Sequence, residues 1–190
     1  EIHDNITSIG SYAFYRCKSL PNFKIPPKVT NIPNHLFYFC TNLSSVEIHD
    51  NITSIGSYAF SECISLLNFT IPPKVTNITN NLFDLCYKLS LVKIHDNITS
   101  IESYAFSFCK ALLNFTIPPK VTEISKCLFQ QCTSLTSVQI QGNLTLVQER
   151  AFYLCHSLKY IFYNGLSIPS NEFEVFLSCQ IDAVYVTPKY

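Results

Sequence analysis

The sequence IHDNITSIGSYAF runs from Ile2 to Phe14 and is repeated letter for letter from Ile48 to Phe60. A third copy, from Ile94 to Phe106, differs only in having Glu102 where the other two copies have glycine. Between these copies lie NFKIPPKVTNI, NFTIPPKVTNI and NFTIPPKVTEI, which begin at Asn22, Asn68 and Asn114. The chain is therefore an array in which two kinds of unit, called here the HDN unit and the PPK unit, alternate.

A period of 23 residues lies within this alternation. A phenylalanine, a cysteine three residues later and a leucine three residues after that recur seven times, from Phe14–Leu20 to Phe152–Leu158. Residues three apart can share one buried face of a short helical turn. The Leu-x-x-[Val/Phe]-x-Ile segment that follows alternates as a strand does, and proline pairs such as Pro26–Pro27 end that strand because proline has no N–H to donate.

One 23-residue unit cannot bury its apolar side alone, so we expect successive units to stack as coils with about 4.8 Å between adjacent strands. The predicted fold class is an α/β repeat solenoid: a right-handed coil with a parallel sheet on its concave face, and short strands and helical turns on its other sides. Residues 1–163 are predicted to form seven repeats, and residues 164–190 an irregular last coil and a cap strand.

The two ends of the array are predicted to differ. The chain begins in mid-repeat, so the first coil lacks its strand and leaves Ile6, Ile9 and Phe14 facing an open end. Solenoids need capping units, and we therefore expect further repeats upstream. At the other end, Val186 falls 23 residues after Tyr163, which predicts a last edge strand.

The units resemble the leucine-rich repeats of the BspA-like class, also called the Treponema pallidum type. The resemblance is carried by the strand with its IPxxV segment, as in Ile71–Val75, and by the I-x-x-x-A-F-x-x-C segment, as in Ile55–Cys63. Leucine-rich repeats commonly place an asparagine three residues after the last apolar strand residue. The HDN units do so, as at Asn51, but the PPK units have lysine there, as at Lys74, so a continuous asparagine ladder is not predicted.

Composition excludes several classes of function. The 13 basic and 13 acidic residues balance, whereas nucleic-acid-binding domains carry a basic excess. No apolar run reaches the roughly 18 residues that a membrane span needs, and the chain start has no signal-peptide pattern. No G-x-S-x-G, H-E-x-x-H or glycine-rich phosphate loop occurs among residues that include only 4 glycines. We expect no enzyme activity and no cofactor.

The cysteines and histidines follow the repeats. Seven cysteines are predicted to form a ladder of buried thiols, with disulfides between adjacent rungs left open because the rungs lie within bridging reach. Cys127 and Cys179 are expected to lie outside that ladder as exposed, oxidisable thiols. His3, His49 and His95 would lie two rungs apart, about 10 Å, too far to share a metal ion. We interpret them as turn residues and expect no metal site.

Eight Asn-x-Ser/Thr sequons are present. Glycosylation would place the chain in a secretory route, while asparagine is also a turn-forming residue whose side chain satisfies backbone groups. Both interpretations stay open on the sequence. The sequons lie at Asn5, Asn42, Asn51, Asn68, Asn77, Asn97, Asn114 and Asn143.

Strand residues between the inward apolar positions are the candidate binding residues. Most are small, polar and uncharged, which suits hydrogen bonding to a broad protein or glycan surface. Near the C-terminus the candidates are aromatic and, with Tyr185, would either anchor a partner or shield the last coil. The candidates are Asn22, Lys24, Ser45, Glu47, Asn68, Thr70, Leu91, Lys93, Asn114, Thr116, Ser137, Gln139, Tyr160 and Phe162.

These observations predict a non-catalytic macromolecule-binding module. The family resemblance implies a surface adhesin or recognition protein, since such proteins occur on bacterial and protozoan pathogens and are implicated in attachment to host matrix proteins or cells. The expected partner is a protein or glycoprotein, and exposed solenoid ends could pair with a second copy. The alternatives are a cytoplasmic protein-interaction scaffold, or the repeat domain of a larger protein.

Overall fold

The computed structural model describes residues 3–167 and 169–186, and this part of the chain contains strands and turns but no helix. One row of longer strands comprises β1 (Asn22–Lys24), β3 (Ser45–Glu47), β5 (Asn68–Thr70), β7 (Leu91–Lys93), β9 (Asn114–Ile117), β11 (Ser137–Ile140), β13 (Tyr160–Tyr163) and β15 (Ala183–Val186). A second row of two-residue strands comprises β2 (Asn31–Ile32), β4 (Ser54–Ile55), β6 (Asn77–Ile78), β8 (Ser100–Ile101), β10 (Glu123–Ile124), β12 (Leu146–Val147) and β14 (Ser170–Asn171).

Strands of successive coils pair in parallel, which confirms the predicted solenoid. In the long row the paired residues are 23 apart, so that Phe23 lies opposite Val46 and Val138 lies opposite Ile161. The hydrogen-bonded groups are β1–β3, β5–β7 and β9–β11–β13–β15, and in the short row β2–β4, β6–β8 and β10–β12–β14. Among these strands, pairing is interrupted where an HDN unit precedes a PPK unit.

The interior is a set of side-chain ladders, as predicted from the period. The recurrent phenylalanine rings, from Phe14 to Phe152 and on to Phe176, stack face to face with centroid separations of 5.3 to 5.8 Å. Cys63 and Leu66, like their equivalents in other inner coils, are fully buried. Burying a phenylalanine or leucine side chain contributes about 1.5–3 kcal/mol, so the stacked interior is the main source of stability.

The predicted helical turns are wrong. Each coil contains two non-glycine residues with left-handed backbone, four positions apart, such as Tyr58 (φ 59°) and Glu62 (φ 59°). An α-helix needs φ near −63° at every residue, so these two positions prevent one from forming. Instead, Cys63 N–H bonds to Phe60 O at 3.1 Å within the coil, while Phe60 N–H bonds to Leu82 O of the next coil. Three-residue turns therefore produce the same three-residue spacing of phenylalanine, cysteine and leucine that led to the prediction of a helical turn.

The last described coil completes the array with an altered spacing. Val186 lies opposite Tyr163 in the predicted edge-strand register. One extra residue is accommodated after Tyr163, because Leu146 pairs with Ser170, 24 positions later. The Tyr163 hydroxyl supports this region by donating to Ser167 O at 2.7 Å and accepting from Leu144 N–H at 3.1 Å.

The N-terminal end of the described chain is open. Ile6 is exposed, and Ile9 and Phe14 are half-buried against the core. A cavity of about 960 Å³ lies there between Phe14, Phe23 and neighbouring residues. This cavity is the uncovered side of the first coil.

Candidate binding face

The long strands present one continuous outward surface, called here the strand face. The alternation of the strands turns Phe69, Val138 and Ile161 into the core and their neighbours outward. Of the fourteen predicted residues, Thr116 and Ser137 are half-buried and the others are exposed. Residues from adjacent coils stand side by side, as Gln139 does beside Thr116.

The strand face carries little charge. Lys24 Nζ and Glu47 Oε1 form an ion pair at 2.9 Å, and this contact raises the pKa of Lys24. Both side chains are exposed to solvent, so the pair has little effect on stability. Beyond it, β5, β9 and β11 offer only amides and hydroxyls outward. Such a surface is suited to hydrogen bonding.

Aromatic residues occupy the C-terminal end of this face and are called here the strand-face aromatic cluster. The Phe162 and Tyr185 rings are stacked at 5.0 Å with an interplanar angle of 10°, and Tyr160 lies 6.3 Å from Tyr185. Their exposed fractions are 38% for Tyr160, 40% for Phe162 and 50% for Tyr185. The neighbouring Ile161 and Tyr163 are buried in the interior, and the three rings lie on the outward side of the sheet.

The HDN asparagines and PPK lysines form pairs that the sequence did not reveal. Lys28 Nζ donates to Asn5 Oδ1 at 2.9 Å. The same bond joins Lys74 to Asn51 and Lys120 to Asn97. The available signal was that asparagine and lysine occupy one coil position 23 residues apart. The lysine amine thus takes the place of an amide in an alternating ladder.

The remaining sequons differ in their surroundings. Asn68 and Asn114 are exposed on the strand face, and Asn42 is exposed nearby. Asn77 is half-buried and donates to Glu102 Oε1 at 2.6 Å, while its own Oδ1 accepts from Ser100. Asn143 is exposed, and its Oδ1 accepts the Leu166 N–H at 2.7 Å.

The recurrent histidines are turn residues, as interpreted. The His95 ring contacts Pro72 O through Nε2 at 3.0 Å and accepts the Asn97 N–H through Nδ1 at 3.3 Å. His49 makes the same contact to Pro26 O at 3.1 Å. Within residues 3–167 and 169–186, no three His, Cys, Asp or Glu side chains group as metal ligands would.

The ladder cysteines are free thiols that hydrogen-bond to the backbone of the preceding coil. Cys86 Sγ donates to Phe60 O at 3.1 Å, and the same bond recurs from Cys40 to Cys155. Burial raises the pKa of the Cys40 thiol to about 12, and burial also raises the pKa of Cys109 well above its ordinary value. Thiolate is the reactive form, so the inner ladder is chemically inert.

The predictions for Cys127 and Cys179 are wrong. Cys127 is only 2% exposed, because Tyr104 and Arg150 occupy the same position in the adjacent coils, and its side chain is hydrogen-bonded to Tyr104. Cys179 belongs to the ladder, since it follows Cys155 by 24 residues and its Sγ donates to Phe152 O at 3.1 Å. It is half-buried, and the hydrogen bond with Cys155 lowers its pKa.

Sequence reasoning missed two clusters on the side formed by the three-residue turns, called here the turn face. The turn-face aromatic cluster consists of Tyr12, Tyr15, His35, Tyr38, Phe39 and Tyr58. The ion-pair cluster consists of Lys126, Glu149, Arg150 and Glu174. The available signal was the 23-residue spacing of Tyr12, His35 and Tyr58 and of Tyr15 and Tyr38.

The family model for the BspA type leucine rich repeat region matches this chain in 6 copies, over residues 1–112 and 76–189. The chain belongs to the BspA-type leucine-rich-repeat family. The resemblance noted from the Ile-Pro and Ala-Phe-x-x-Cys segments is thereby confirmed. Leucine-rich repeats of this kind are generally protein-interaction modules and typically have no catalytic activity.

Solved structures show the same repeat fold. A leucine rich cell surface protein from Faecalibacterium prausnitzii A2-165 is 28% identical, with a TM-score of 0.70, over 85% of this chain and 53% of that one. The Treponema pallidum leucine rich repeat protein is 26% identical, with a TM-score of 0.56, over 90% of this chain and 69% of that one. This BspA-type chain thus spans about half the length of the Faecalibacterium protein.

Two further findings complete the comparison. A leucine-rich repeat protein from Eubacterium ventriosum, 22% identical with a TM-score of 0.57 over 88% of this chain and 54% of that one, shares the fold. No curated protein matches the chain. The part of this BspA-type array that the structure describes contains no helix able to cross a membrane.

Proposed function

We propose that this chain is a non-catalytic binding module of a surface adhesin or recognition protein, which holds a host matrix or cell-surface protein against its strand face. The observation that carries the proposal is the strand-face aromatic cluster. Tyr160 and Phe162 are exposed beside Tyr185, at the end of a row of small polar side chains. Exposed tyrosine and other aromatic residues next to hydrogen-bonding groups are the usual anchors of protein interfaces.

The position of the cluster supports binding by a macromolecule rather than by a small ligand. The strand face is an extended surface on which side chains of successive coils stand in register. A protein partner could place apolar side chains on the rings and hydrogen-bond along Gln139, Thr116 and Asn114. The surface location of the Faecalibacterium relative agrees with this role.

The test is direct binding to matrix proteins. Immobilised fibronectin, laminin and collagen would be titrated with the chain, and with the double variant Tyr160→Ser, Phe162→Gln. This variant copies Ser137 and Gln139, which occupy the same positions in the preceding coil, so it should fold. Losing two aromatic anchors should weaken binding at least about tenfold.

The control is Tyr153→Gln, which removes a tyrosine from the turn face and copies Gln130 one coil earlier. It should bind as the parent does. Binding that is unchanged in the double variant, or no binding to any of the three matrix proteins, would contradict the adhesin proposal.

A cytoplasmic protein-interaction scaffold is the second candidate. It is favoured by the nine free thiols, seven of them fully or nearly fully buried, since reduced cysteines are typical of a reducing compartment. Mass measurement of the protein from its natural source decides between the two locations. Glycan mass on Asn42, Asn68 or Asn114 supports the secreted form, and unmodified sequons support the scaffold.

Self-association is a further part of the proposal. Strand β15 exposes Val184 and Val186 at the edge of the sheet, and unpaired edges can pair with another copy. Sedimentation velocity at increasing concentration should show reversible dimers. A single monomeric species at all concentrations argues against this pairing.

A further inference from the structure

The turn-face aromatic cluster is continuous across three coils. The Tyr12 and His35 rings stack at 4.4 Å, and the His35 and Tyr58 rings at 4.8 Å. A second row places Tyr15 over Tyr38 at 5.5 Å, and Tyr38 lies 5.7 Å from His35. The rings therefore form one patch rather than isolated surface aromatics, which are common and need no explanation.

The backbone of the coil does not require these aromatic residues. Tyr12, His35 and Tyr58 hold a left-handed position that Asn81 holds in the fourth coil with φ 54°. Asparagine adopts this conformation more readily than bulky residues do. At the position of Tyr38, the next four coils have residues without rings, namely Ser61, Asp84, Ser107 and Gln130. The same turn thus forms without rings, and the aromatic cluster must be explained by something other than folding.

Two cations complete the patch without a carboxylate partner. The Arg16 guanidinium lies 5.1 Å from the centroid of Tyr15 and 5.3 Å from that of Phe39. Lys18 Nζ lies 5.4 Å from the centroid of Phe39. Neither cation has an acidic group within 4.0 Å in the described chain, whereas Lys126 has one and Arg150 has two. Arg16 and Lys18 are both exposed and are free to pair with an incoming anion.

We propose that the turn-face aromatic cluster, with Arg16 and Lys18, is a second interaction surface, which binds an acidic segment of a protein partner. Carboxylates of the segment would pair with the two cations, and its apolar side chains would lie on Tyr38 and Phe39. Tyrosine and arginine side chains dominate interface energetics. Two cations suit a short acidic peptide better than a nucleic acid, whose binding depends on many phosphate contacts.

The patch differs in charge and position from the strand face. Its acidic neighbours are Glu62, which accepts a hydrogen bond from the Tyr38 hydroxyl at 3.4 Å, and Asp84. The surface can therefore act while the strand face is occupied. One chain would then bridge two partners, and the second interaction can be measured by itself.

The probe is a fluorescein-labelled twelve-residue peptide in which glutamate pairs alternate with leucine–phenylalanine pairs. A matched peptide has glutamine in place of every glutamate, and a heparin hexasaccharide supplies an anion without apolar side chains. Binding is followed by fluorescence anisotropy for the peptides, and by competition for heparin, at about 50 mM salt, where screening is weak. The acidic peptide should bind at least about fivefold more tightly than the glutamine peptide.

Variants that copy residues already present in other coils keep the fold. Arg16→Gln with Lys18→Thr copies Gln131 and Thr133, and should weaken binding of the acidic peptide about fivefold. Tyr38→Gln with Phe39→Gln copies Gln130 and Gln131 and should weaken it about tenfold. The control, Lys88→Ser with Lys159→Thr, copies Ser65 and Thr136, removes the same charge from elsewhere, and should change binding less than twofold.

Each outcome decides the proposal. Weakening by both turn-face variants with little effect of the control supports it. An acidic peptide that does not bind, binds no better than the glutamine peptide, or loses as much affinity in the control overturns it. Tighter competition by heparin than by unlabelled peptide also overturns it, because the surface would then recognise anions alone.

Discussion

The stacked rings of the turn face lie in its N-terminal coils and the ion pairs in its C-terminal coils, and Arg150 occupies the same coil position as Tyr12, His35 and Tyr58. Tyr12, His35 and Tyr58 stack in one half. In the other, Lys126 Nζ pairs with Glu149 Oε2 at 2.7 Å, and Arg150 Nε pairs with Glu174 Oε2 at 2.6 Å. The backbone of the turns is the same in both halves, so it is determined by the interior. The side chains of the turn face can therefore differ from coil to coil.

The largest effect on stability is expected in the buried interior, where the two halves are alike. Phe83 is fully buried and stacks between Phe60 at 5.8 Å and Phe106 at 5.6 Å. Phe83→Ala should lower the free energy of unfolding by about 3–5 kcal/mol, measured by equilibrium denaturation in urea. Tyr38→Gln, on the turn face, should cost less than about 1.5 kcal/mol. Equal losses in the two variants would remove the distinction between interior and surface.

A smaller loss is expected from a polar contact that only the C-terminal half contains. Tyr163→Phe removes the hydroxyl that accepts the Leu144 N–H and donates to Ser167 O. The buried Leu144 N–H is left unpaired, which should cost about 1–3 kcal/mol in urea denaturation. Tyr153→Phe, which removes a hydroxyl from the turn face, should change stability by less than about 0.5 kcal/mol. A neutral Tyr163→Phe would show that the extra residue of the last coil needs no such support.

The ion-pair cluster should contribute a small, pH-dependent stabilisation. The hydrogen bond from Lys126, then its charge, lowers the pKa of Glu149. A carboxyl with a lowered pKa stabilises the fold above its ordinary pKa of about 4.3, and that contribution is lost as pH falls through the lowered value. The Tm advantage of the parent over Lys126→Ser, which copies Ser103, should therefore shrink from about pH 6 to pH 3 and in 1 M salt. A Tm difference that does not change with pH or salt would contradict an ionic origin of the stabilisation.

The aromatic half should also lose stability as pH falls, but over a higher pH range and with the smallest effect. Burial between Tyr12 and Tyr58 lowers the pKa of His35. The unfolded chain then takes up a proton near the ordinary histidine pKa of about 6.5 before the folded one does, so stability is lost as pH falls from there through the lowered pKa. His35→Asn, which copies Asn81, should flatten Tm between about pH 7 and pH 5. Tyr153→Gln, which copies Gln130 and leaves His35 in place, should not flatten Tm, and a similar flattening there would assign the effect elsewhere.

The repeats made much of the fold predictable. A strict 23-residue period requires Phe60, Cys63 and Leu66 to stack on their equivalents, because one coil cannot bury them alone. Strand alternation likewise identified the outward residues, and Tyr160 and Phe162 lie where it places them. Both inferences depend on the short-range periodicity of the sequence. The stacking of the coils keeps that periodicity in the structure.

The errors arose where neighbouring coils decide the conformation. The three-residue spacing is compatible with helix, but Tyr58 and Glu62 adopt left-handed backbone so that their N–H groups reach Asn80 O and Asp84 O of the next coil. Cys127 was expected to be exposed because it lies outside the 23-residue ladder of cysteines. Its burial comes from the coils on either side.

The sequence by itself determined the parallel stacking, the buried ladders and the outward row of the strand face, because each follows from one repeated apolar pattern. Only the tertiary structure decided the left-handed turns, the bonds from Lys28 to Asn5 and their equivalents, and the two clusters of the turn face. These features depend on which side chain meets which across a coil boundary. Which side chains come into contact depends on the three-dimensional register of the coils. A periodic sequence permits this register but does not specify the contacts of each surface residue.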